Sequence, residues 1–272
     1  MIPLDRPLVM GVLNLTPDSF SDGGAYADQA EAVDRAVRML AEGADLVDVG
    51  GESTRPGAEP VEPEEEWRRI GGVALELGRR GIRFSVDTRR AAVAARALDA
   101  GAAVVNDVTA FGEGAEMARL LGTSGAGAVL MHMRGTPQTM QRDVGYDDLL
   151  GEIGASLSEA ADRAQQHGVK PDQIVLDPGI GFGKSAAANL EVLNQLNSVV
   201  ALGYPILVGP SRKTFLGAVL GTDVSDRLEG TLAACVLARD RGACIFRVHD
   251  VLAVRKALDV TNAILRQEVP SS

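Results

Sequence analysis

Short apolar segments alternate with longer, Ala-rich amphipathic segments along the whole chain. Repeated strand–helix units produce this pattern, because a buried parallel strand is apolar throughout whereas a covering helix is apolar on one face. The apolar segments predict eight strands, at 8–14, 45–51, 84–88, 104–108, 127–133, 173–179, 205–211 and 245–250. The amphipathic segments predict helices at 28–42, 63–80, 90–101, 114–122, 147–167, 188–200, 227–240 and 251–267.

Eight strand–helix units within about 250 residues favour an α/β fold, a closed (β/α)₈ TIM barrel, over an open sheet. No linker, low-complexity stretch or charge block divides the chain, so we predict a single domain over residues 1–272. The segments 10–24 and 48–57 follow the first two strands and are rich in Gly, Pro, Ser, Thr and Asp. We interpret them as long loops that close over a substrate.

The overall charge of the chain limits its possible partners. A net charge of −10 argues against nucleic acid, which requires clustered Lys and Arg over an extended face. Cys235 and Cys244 are too few and too close for a disulfide framework, and we expect both to be reduced core residues. The N-terminus lacks a basic region followed by a long apolar stretch, so we expect a cytoplasmic protein that does not enter a membrane.

Polar side chains gather at the predicted carboxyl ends of the strands. They are Asn14, Asp48, Glu52, Asp87, Asn106, Asp107, His132, Asp177, Arg247 and His249. Any one strand-end carboxylate could simply cap the next helix. In a barrel, however, all the strand ends converge on one mouth, where active sites lie. The set therefore predicts a pocket lined with acids, amides and a few cations.

The segment PGIGFGKS at 178–185 resembles a phosphate-binding glycine loop only superficially. Pro178 occupies the position where the nucleotide-binding pattern requires Gly, and no GxGxxG fits. Its glycines either let the backbone approach a planar ligand beside Asp177 or shape a tight turn. We interpret His132, at the end of another strand, as a hydrogen-bonded structural residue.

The segment 208–217, VGPSRKTFLG, places Ser211, Arg212, Lys213 and Thr214 after the seventh strand, at the start of a short extra helix. Loops after the last two strands of such barrels often bind phosphate or another anion. Together with Arg247 and His249, this segment supplies a local cluster of positive charge. The alternative is a solvated basic turn.

Seven motifs together resemble those of the dihydropteroate synthases. They are MGVLNLTPDSFSDGG, DVGGESTRPGAEPV, NDV, LMHMRGTPQTMQ, DPGIGFGKS, GPSRKTFLG and RVHDV, and they occur in order over nearly the whole chain. The resemblance implies a transferase of folate biosynthesis and a sulfonamide target. Such an enzyme condenses 6-hydroxymethyl-7,8-dihydropterin pyrophosphate with p-aminobenzoate, by an SN1-like displacement, to give 7,8-dihydropteroate and pyrophosphate.

The same resemblance implies the roles of individual residues. The pterin would contact Asp87, Asn106, Val108, Met131, Asp177, Phe182, Gly209, Lys213 and Arg247. The p-aminobenzoate pocket would comprise Phe20, Thr54, Pro56, Lys213 and Thr214, and the pyrophosphate would contact Asn14, Thr54, Arg55, Arg247 and His249. The resemblance assigns catalytic roles to Asp22, Lys213, Arg247 and His249, and binding of Mg²⁺ to Asn14. Thr214 replaces the Ser of many relatives, and its extra methyl group narrows the pocket.

Two other functions stay open at this point. A methyltetrahydrofolate methyltransferase domain of corrinoid systems would share the barrel and the ring contacts, but it has no pyrophosphate to bind. The SRK segment, the pair Arg247 and His249, and the TPDSFSDGG loop argue against it. A catalytically silent pterin-binding paralogue should have degraded loops, whereas those of this chain are complete. The resemblance also implies a homodimer formed through outer helices.

Overall fold

The computed structural model describes residues 6–16 and 25–268, and all structural statements concern these residues. The strands are β1 (Leu8–Asn14), β2 (Leu46–Gly50), β3 (Phe84–Asp87), β4 (Val104–Asp107), β5 (Gly127–Met131), β6 (Ile174–Asp177), β7 (Leu207–Val208) and β8 (Ile245–Val248). The helices are α1 (Ala25–Ala41), α2 (Pro63–Arg79), α3 (Ala91–Asp99), α4 (Ala115–Ser124), α5 (Leu149–Gln166), α6 (Ala186–Asn194), α7 (Asn197–Val200), α8 (Thr214–Leu220), α9 (Leu228–Asp240) and α10 (Val251–Arg266).

All eight strands belong to one parallel sheet in the order β6-β5-β4-β3-β2-β1-β8-β7. The two outermost strands of this order, β6 and β7, are joined by a single bridge between Leu176 and Ile206, so the sheet closes almost completely on itself. Helices follow the strands and cover the outside. The predicted (β/α)₈ barrel is therefore confirmed.

Successive side chains of a strand point to opposite faces of the sheet, so the strands contribute to two apolar layers, one outside and one inside the barrel. Val9, Val47 and Val105 face outward and pack against Ala-rich helices, whose small side chains allow close approach. Leu8, Met10 and Leu46 belong to a separate cluster. Met10 pairs in register with Arg247, and side chains at paired positions share a face. The interior is thus apolar at the amino end of the strands and polar at the carboxyl end.

Two predicted elements differ from those observed by more than the residues at their ends. The predicted strand 205–211 is only two residues long, because Pro205 and Pro210 have no N–H to donate to a neighbouring strand. The predicted helix 188–200 is two helices, α6 and α7, and the break is flanked by Asn194 and Asn197, which have low helix propensity. The predicted extra helix after the seventh strand is present as α8. Within the described ranges, no helix is long and apolar enough to cross a membrane.

Helix α2 packs tightly under the loop that follows β2. A Cβ atom at Gly51 would lie 2.9 Å from the carbonyl oxygen of Glu66, so only glycine permits this contact. The Glu66 side chain is buried, and within the described residues neither of its carboxyl oxygens has a hydrogen bond of normal geometry. The Thr88 hydroxyl favours the charged form, but burial opposes that form more strongly. Burial raises the pKa of Glu66 to about 7.

This raised pKa predicts a specific dependence of stability on pH. Between the ordinary value of 4.5 and about 7, the folded protein holds a proton on Glu66 that the unfolded chain releases, so stability falls as pH rises through this window. The shift corresponds to up to about 3 kcal/mol. We expect Glu66→Gln to be more stable than the parent at pH 8 and equally stable at pH 4.5, as measured by urea unfolding.

The exposed neighbour Glu64 provides the control for this measurement. Its side chain is 87% exposed on the same helix, so Glu64→Gln should change stability little at either pH. A Glu66→Gln protein with the same pH profile as the parent would contradict the prediction.

Candidate active site

Side chains from four strands, β8, β2, β3 and β4, meet at the carboxyl end of the barrel. Arg247 of β8 donates from Nε to Asp48 of β2 and from Nη2 to Asp87 of β3, both at 2.6 Å. Asn106 of β4 donates to the same Asp48 oxygen at 3.2 Å. The strands that carry these residues are parallel, so their carboxyl ends are neighbours although the residues are far apart in sequence.

Asp48 was predicted from the sequence to lie at the barrel mouth, but with no specific contact. Its side chain is fully buried, and its second oxygen accepts a hydrogen bond from the Ser85 hydroxyl at 2.5 Å. A buried carboxylate of this kind is stable only when it is paired and hydrogen-bonded. The signal in the sequence was an acidic residue within an otherwise apolar strand, LVDVG.

The pairing changes the acidity of its members. Burial acts to lower the pKa of Arg247, but the carboxylates of Asp48 and Asp87 outweigh it and leave that pKa raised. Burial raises the pKa of Asp87; Arg247 opposes this change, and the nearby Asp48 carboxylate adds to it. Asp87 therefore binds a proton more readily than an exposed aspartate does.

A slot opens beside this centre at the barrel mouth. It forms a cavity of about 20 Å³ lined by Asn106, Val108, Met131, Asp177, Ile180, Phe182, Gly209, Lys213 and Arg247. All of these except Ile180 were predicted from the sequence as pterin contacts, and the remaining predicted residue, Asp87, is bonded to Arg247 at the edge of the slot. The structure thus brings the predicted set together, while the role of each residue stays a prediction.

One wall of the slot is apolar. Val108, Met131, Met140 and Phe182 form a buried cluster, and the Lys213 ammonium lies 4.0 Å from the centroid of the Phe182 ring. A cation over an aromatic face is stabilised by the charge distribution of the ring. Burial and the neighbouring Arg247 lower the pKa of Lys213 to about 8.

Asp177 ends β6 and points its carboxylate into the slot. Its Oδ1 accepts the Gly179 N–H at 2.7 Å. Burial raises the pKa of Asp177 to about 6, and the Gly179 hydrogen bond and the Lys213 charge partly offset the effect of burial.

The glycines after β6 shape a tight turn, one of the two purposes left open by the sequence, while approach of the backbone to a planar ligand stays a prediction. Gly179 has φ of +70°, and a Cβ there would lie 2.0 Å from the carbonyl oxygen of His132, so it shapes a tight turn. Gly181 has φ of +84°, and its Cβ would lie 2.8 Å from the Cδ atom of Lys213, which is a close approach at the slot. His132 is buried and bonded to Lys184 through its ring, so its interpretation as a structural residue is confirmed.

The two cations of the segment after β7, Arg212 and Lys213, lie in different surroundings. Arg212 pairs with Asp250 at 2.5 Å on the outside, whereas Lys213 lines the slot. The ring of His249 shares a hydrogen bond of 3.1 Å with the Ser211 hydroxyl. Burial and the nearby Arg247 lower the pKa of His249 to about 4, so its ring is neutral at pH 7. Lys213 and Arg247 therefore provide the positive charge of the slot.

The loop after β2 reaches across the mouth of the barrel. The Gly57 N–H donates to the Pro137 carbonyl at 2.9 Å, which links this loop to the one after β5. Arg55 and Pro56 are exposed, and both line a second, open cavity of about 640 Å³ together with Thr16. Thr54 is half-buried beside them.

Other predicted residues lie elsewhere at the mouth or outside the described residues. Asn14 ends β1 beside Gly50, and its side-chain amide has no hydrogen-bond partner within residues 6–16 and 25–268. Thr214 is exposed at the first position of α8. Phe20 and Asp22 lie outside the described residues.

A further cavity of about 480 Å³ lies at the opposite end of the barrel, lined mainly by apolar side chains such as Leu8, Leu46 and Val104. It is larger than the slot, but catalysis requires several polar groups around one reacting centre. That arrangement occurs at the carboxyl end, where Asp177, Lys213 and Arg247 converge. We therefore assign the active site to the slot.

The strand ends of this barrel hold carboxylates, an amide and two cations around an apolar-walled slot, the arrangement of an enzyme that binds a flat polar ring. In agreement, the profile of the family described as pterin binding enzyme matches residues 10–249. A dihydropteroate synthase of Synechocystis is 46% identical over 263 residues, covering 96% of this chain and 91% of that protein.

Solved structures agree with this relationship. The Yersinia pestis dihydropteroate synthase with a sulfonamide drug complex has a TM-score of 0.92 at 40% identity, covering 97% of this chain and 96% of that one. The Xanthomonas albilineans dihydropteroate synthase with 4-aminobenzoic acid has a TM-score of 0.90 at 42% identity, covering 98% and 95%. The chain belongs to the dihydropteroate synthase family.

Proposed function

We propose that the chain carries out the reaction of its family, joining 6-hydroxymethyl-7,8-dihydropterin pyrophosphate to p-aminobenzoate with release of pyrophosphate. The observation that carries the proposal is the convergence of Asn106, Asp177, Lys213 and Arg247 on one slot at the barrel mouth. These side chains offer acceptors to one edge of a flat heterocycle and donors to the other.

Recognition of the pterin depends first on Asp177. The ring presents adjacent N–H donors on an amidine-like edge, and a carboxylate can accept both in a bidentate pair. Asn106 and Asp87 complete the hydrogen bonds, and Lys213 donates to the acceptor side of the ring. Phe182 provides an apolar face, and the planar guanidinium of Arg247 covers the other face of the ring.

The side chains of Lys213 and Arg247 move when the pterin binds. A cavity of about 20 Å³ is close to the volume of one water molecule, far less than a bicyclic ring needs. Both side chains are long, and their terminal groups can swing aside without any change in the backbone. Arg247 then leaves at least one of its present carboxylate partners for the substrate.

The leaving pyrophosphate requires donors and cations at the mouth. Arg247 supplies charge, Thr54 and Arg55 lie on the neighbouring loop, and His249 offers a ring N–H. Because the His249 ring is neutral at pH 7, it contributes a hydrogen bond rather than a charge until the anion raises its pKa again.

Magnesium fits this site as an ion that binds together with the substrate. Among the described residues, no group of three or more His, Cys, Asp or Glu side chains could hold a metal. Asn14, however, presents a side-chain oxygen at the mouth, and Mg²⁺ prefers phosphate oxygens, water and only one or two protein ligands. We propose that Asn14 holds the ion, which supplies charge neutralisation for the pyrophosphate when bound.

The bond-forming step is a displacement with early departure of the leaving group. The bond from the methylene carbon to the pyrophosphate oxygen breaks, and its electron pair leaves with the pyrophosphate. The amine lone pair of p-aminobenzoate then forms the C–N bond, and the amine loses a proton to solvent. Since an aromatic amine is nucleophilic at neutral pH, the chain's residues act mainly by positioning the reactants and stabilising charge.

We place the p-aminobenzoate pocket beside Lys213, next to the pterin slot. We place the carboxylate near the Thr214 hydroxyl and the ring beside Thr54 and Pro56. The Yersinia pestis relative was solved with a sulfonamide drug complex, and we propose that this chain also binds sulfonamides, in the p-aminobenzoate pocket. The methyl group of Thr214 would make it narrower than a pocket with serine.

The test is a turnover assay with the pterin pyrophosphate and p-aminobenzoate, with and without Mg²⁺. We expect formation of dihydropteroate with stoichiometric pyrophosphate, and loss of turnover when EDTA removes the metal. Pterin binding by calorimetry without any product would show a silent binding protein and overturn the proposal. Full turnover in EDTA would overturn the metal assignment alone.

We also propose that the chain forms a homodimer through the neighbouring helices α9 and α10. Leu237 on α9 is 37% exposed, and Val260 and Ile264 on α10 are 61% and 69% exposed, one helical turn apart. Apolar side chains at such positions are costly in water unless a partner covers them. We expect light scattering to show a dimer that Val260→Asp with Ile264→Asp converts to a monomer.

Leu75 provides the matched control for the dimer. It is 58% exposed on α2, in a different part of the barrel surface, so Leu75→Asp should leave the dimer intact. A parent protein that is monomeric at micromolar concentration would contradict the proposed interface.

The cysteines support a reducing location. Cys235 and Cys244 are free, and burial raises the pKa of Cys235 to about 12. A thiol with so high a pKa stays protonated and unreactive. We propose that the chain works in the cytoplasm, where such thiols remain reduced.

A further inference from the structure

Lys184 is a buried cation that the proposed chemistry does not use. It is the lysine of the PGIGFGKS segment, next to the last residue, and is only 3% exposed. The lysines of the chain are Lys170, Lys184, Lys213 and Lys256. Lys170 and Lys256 are exposed, so Lys184 and Lys213 are the two that the fold takes to the region of the slot.

All three donors of the Lys184 ammonium have acceptors. Nζ lies 2.9 Å from the His132 Nδ1 atom, 3.1 Å from the Gly179 carbonyl oxygen and 3.0 Å from the Phe182 carbonyl oxygen. An ammonium group can only donate, so Nδ1 of His132 is an acceptor and the ring carries its proton on Nε2. Burial first, and the charges of Lys184 and Arg134 second, lower the pKa of His132 to about 3, in agreement with a neutral ring.

The two carbonyl contacts fix both sides of the slot. Gly179 is the residue whose N–H bonds to the Asp177 carboxylate, so holding its carbonyl also fixes the donor that orients Asp177. Phe182 provides the aromatic face over which Lys213 lies. His132 anchors the ammonium to the end of β5, which connects the loop after β6 to a neighbouring strand.

The Lys184 charge also acts on Asp177 through space. The charged groups that face Asp177 are Lys213 from the segment after β7, Lys184 from the loop after β6, and Arg247 from β8; all three favour its ionised form. Those that face Lys184 are Asp177, Lys213 and Arg134, the last from the segment after β5. Burial lowers the pKa of Lys184 to about 7, and Asp177 opposes that change.

We propose that Lys184 is a positioning residue. It holds the loop after β6 in the conformation in which Asp177 and Phe182 contact one flat heterocycle, and it does not itself contact that heterocycle. The inference rests on the proposed pterin site. It assigns the buried cation of the PGIGFGKS segment to ring recognition and not to phosphate binding.

The experiment replaces Lys184 by methionine, which has a similar length and no donor. Affinity for 6-hydroxymethyl-7,8-dihydropterin pyrophosphate is measured by calorimetry between pH 5 and 8, and the KM for p-aminobenzoate is measured at saturating pterin. We expect Lys184→Met to weaken pterin affinity by about tenfold or more at pH 7, with a KM for p-aminobenzoate within about twofold of the parent.

The pH profile separates positioning from general stability. Without the ammonium, Asp177 should bind a proton more readily, so the fall in pterin affinity at low pH should move to higher pH. Lys184→Arg, which keeps the charge, should retain the parent's acid limb. Equal losses for both substrates with an unmoved acid limb would reduce Lys184 to a structural residue and overturn the inference.

Two further variants complete the design. Lys170→Met changes an exposed lysine and should leave both substrates unaffected. If Lys184→Met does not fold, Lys184→Gln, which keeps an amide donor but no charge, carries the same expectations. An unchanged pterin affinity in the uncharged variant overturns the inference, whereas an unchanged affinity in a parallel Asp177→Asn protein overturns the pterin site itself.

Discussion

Replacing Asp177 by asparagine is expected to weaken pterin binding by about 100-fold and to reduce turnover by at least as much. Asp177 is the carboxylate at the end of β6 that points into the slot, with one oxygen bonded to the Gly179 N–H at 2.7 Å. Its other oxygen and its charge remain for the substrate. Loss of a charge-assisted pair costs about 2–3 kcal/mol, and the amide NH₂ of asparagine would oppose a ring donor.

The pH profile gives this prediction a second readout. Because burial raises the pKa of Asp177 to about 6, protonation should weaken pterin binding progressively below pH 6 in the parent protein. The asparagine variant has no carboxyl group to titrate, so its weak binding should lack this acid limb. Calorimetry with the pterin pyrophosphate between pH 5 and 8 measures both effects.

Asp172 offers a matched control for Asp177. It is exposed just before the same strand, at the opposite end of the barrel, and Asp172→Asn should leave pterin affinity unchanged. An Asp177→Asn protein that binds the pterin as tightly as the parent would remove the central contact of the proposed site.

The second large effect is expected at Asp48. We expect Asp48→Asn to lower the free energy of unfolding by about 3 kcal/mol, because removing one partner of a buried ion pair leaves the other charge undercompensated. Asp48 is 0% exposed and accepts from Arg247 at 2.6 Å, from Ser85 at 2.5 Å and from Asn106 at 3.2 Å. Turnover should fall as well, because Arg247 and Asn106 lose the acceptor that orients them.

A double-mutant cycle tests whether this effect comes from the ion pair. Arg247→Met alone should leave Asp48 without its cation, whereas Asp48→Asn combined with Arg247→Met removes both charges. We expect the double variant to be more stable than the sum of the single losses predicts, by about 1–3 kcal/mol, in urea unfolding at pH 7.5. Additive losses would contradict a buried pair.

The exposed pair Asp240 with Arg241 provides the comparison. Its side chains are 48% and 34% exposed, and such pairs contribute less than about 1 kcal/mol. Asp240→Asn should therefore lower stability far less than Asp48→Asn does. If the two variants were equally destabilised, burial would not be the cause.

Some features of the chain are set by local sequence. Alternating apolar and amphipathic segments predicted eight strand–helix units, because the spacing of apolar residues along the chain differs between a buried strand and a covering helix. The observed bounds depart mainly where proline shortens β7 and where Asn194 and Asn197 interrupt a helix. The residues at the strand ends, including Asp177 and Arg247, could be selected from sequence because a barrel brings all carboxyl ends to one mouth.

Other features exist only once the barrel closes. The pairing of Asp48 with Arg247 joins residues separated by 199 positions. The hydrogen bonds from Lys184 to the carbonyl oxygens of Gly179 and Phe182 depend on the burial of its ammonium group beside His132. Hydrogen-bond partners and pKa shifts are set by the distances and the desolvation that closure creates. A linear sequence contains neither of these quantities. The sequence therefore determined which residues reach the barrel mouth, whereas the tertiary structure decided which of them form hydrogen bonds and ion pairs with one another.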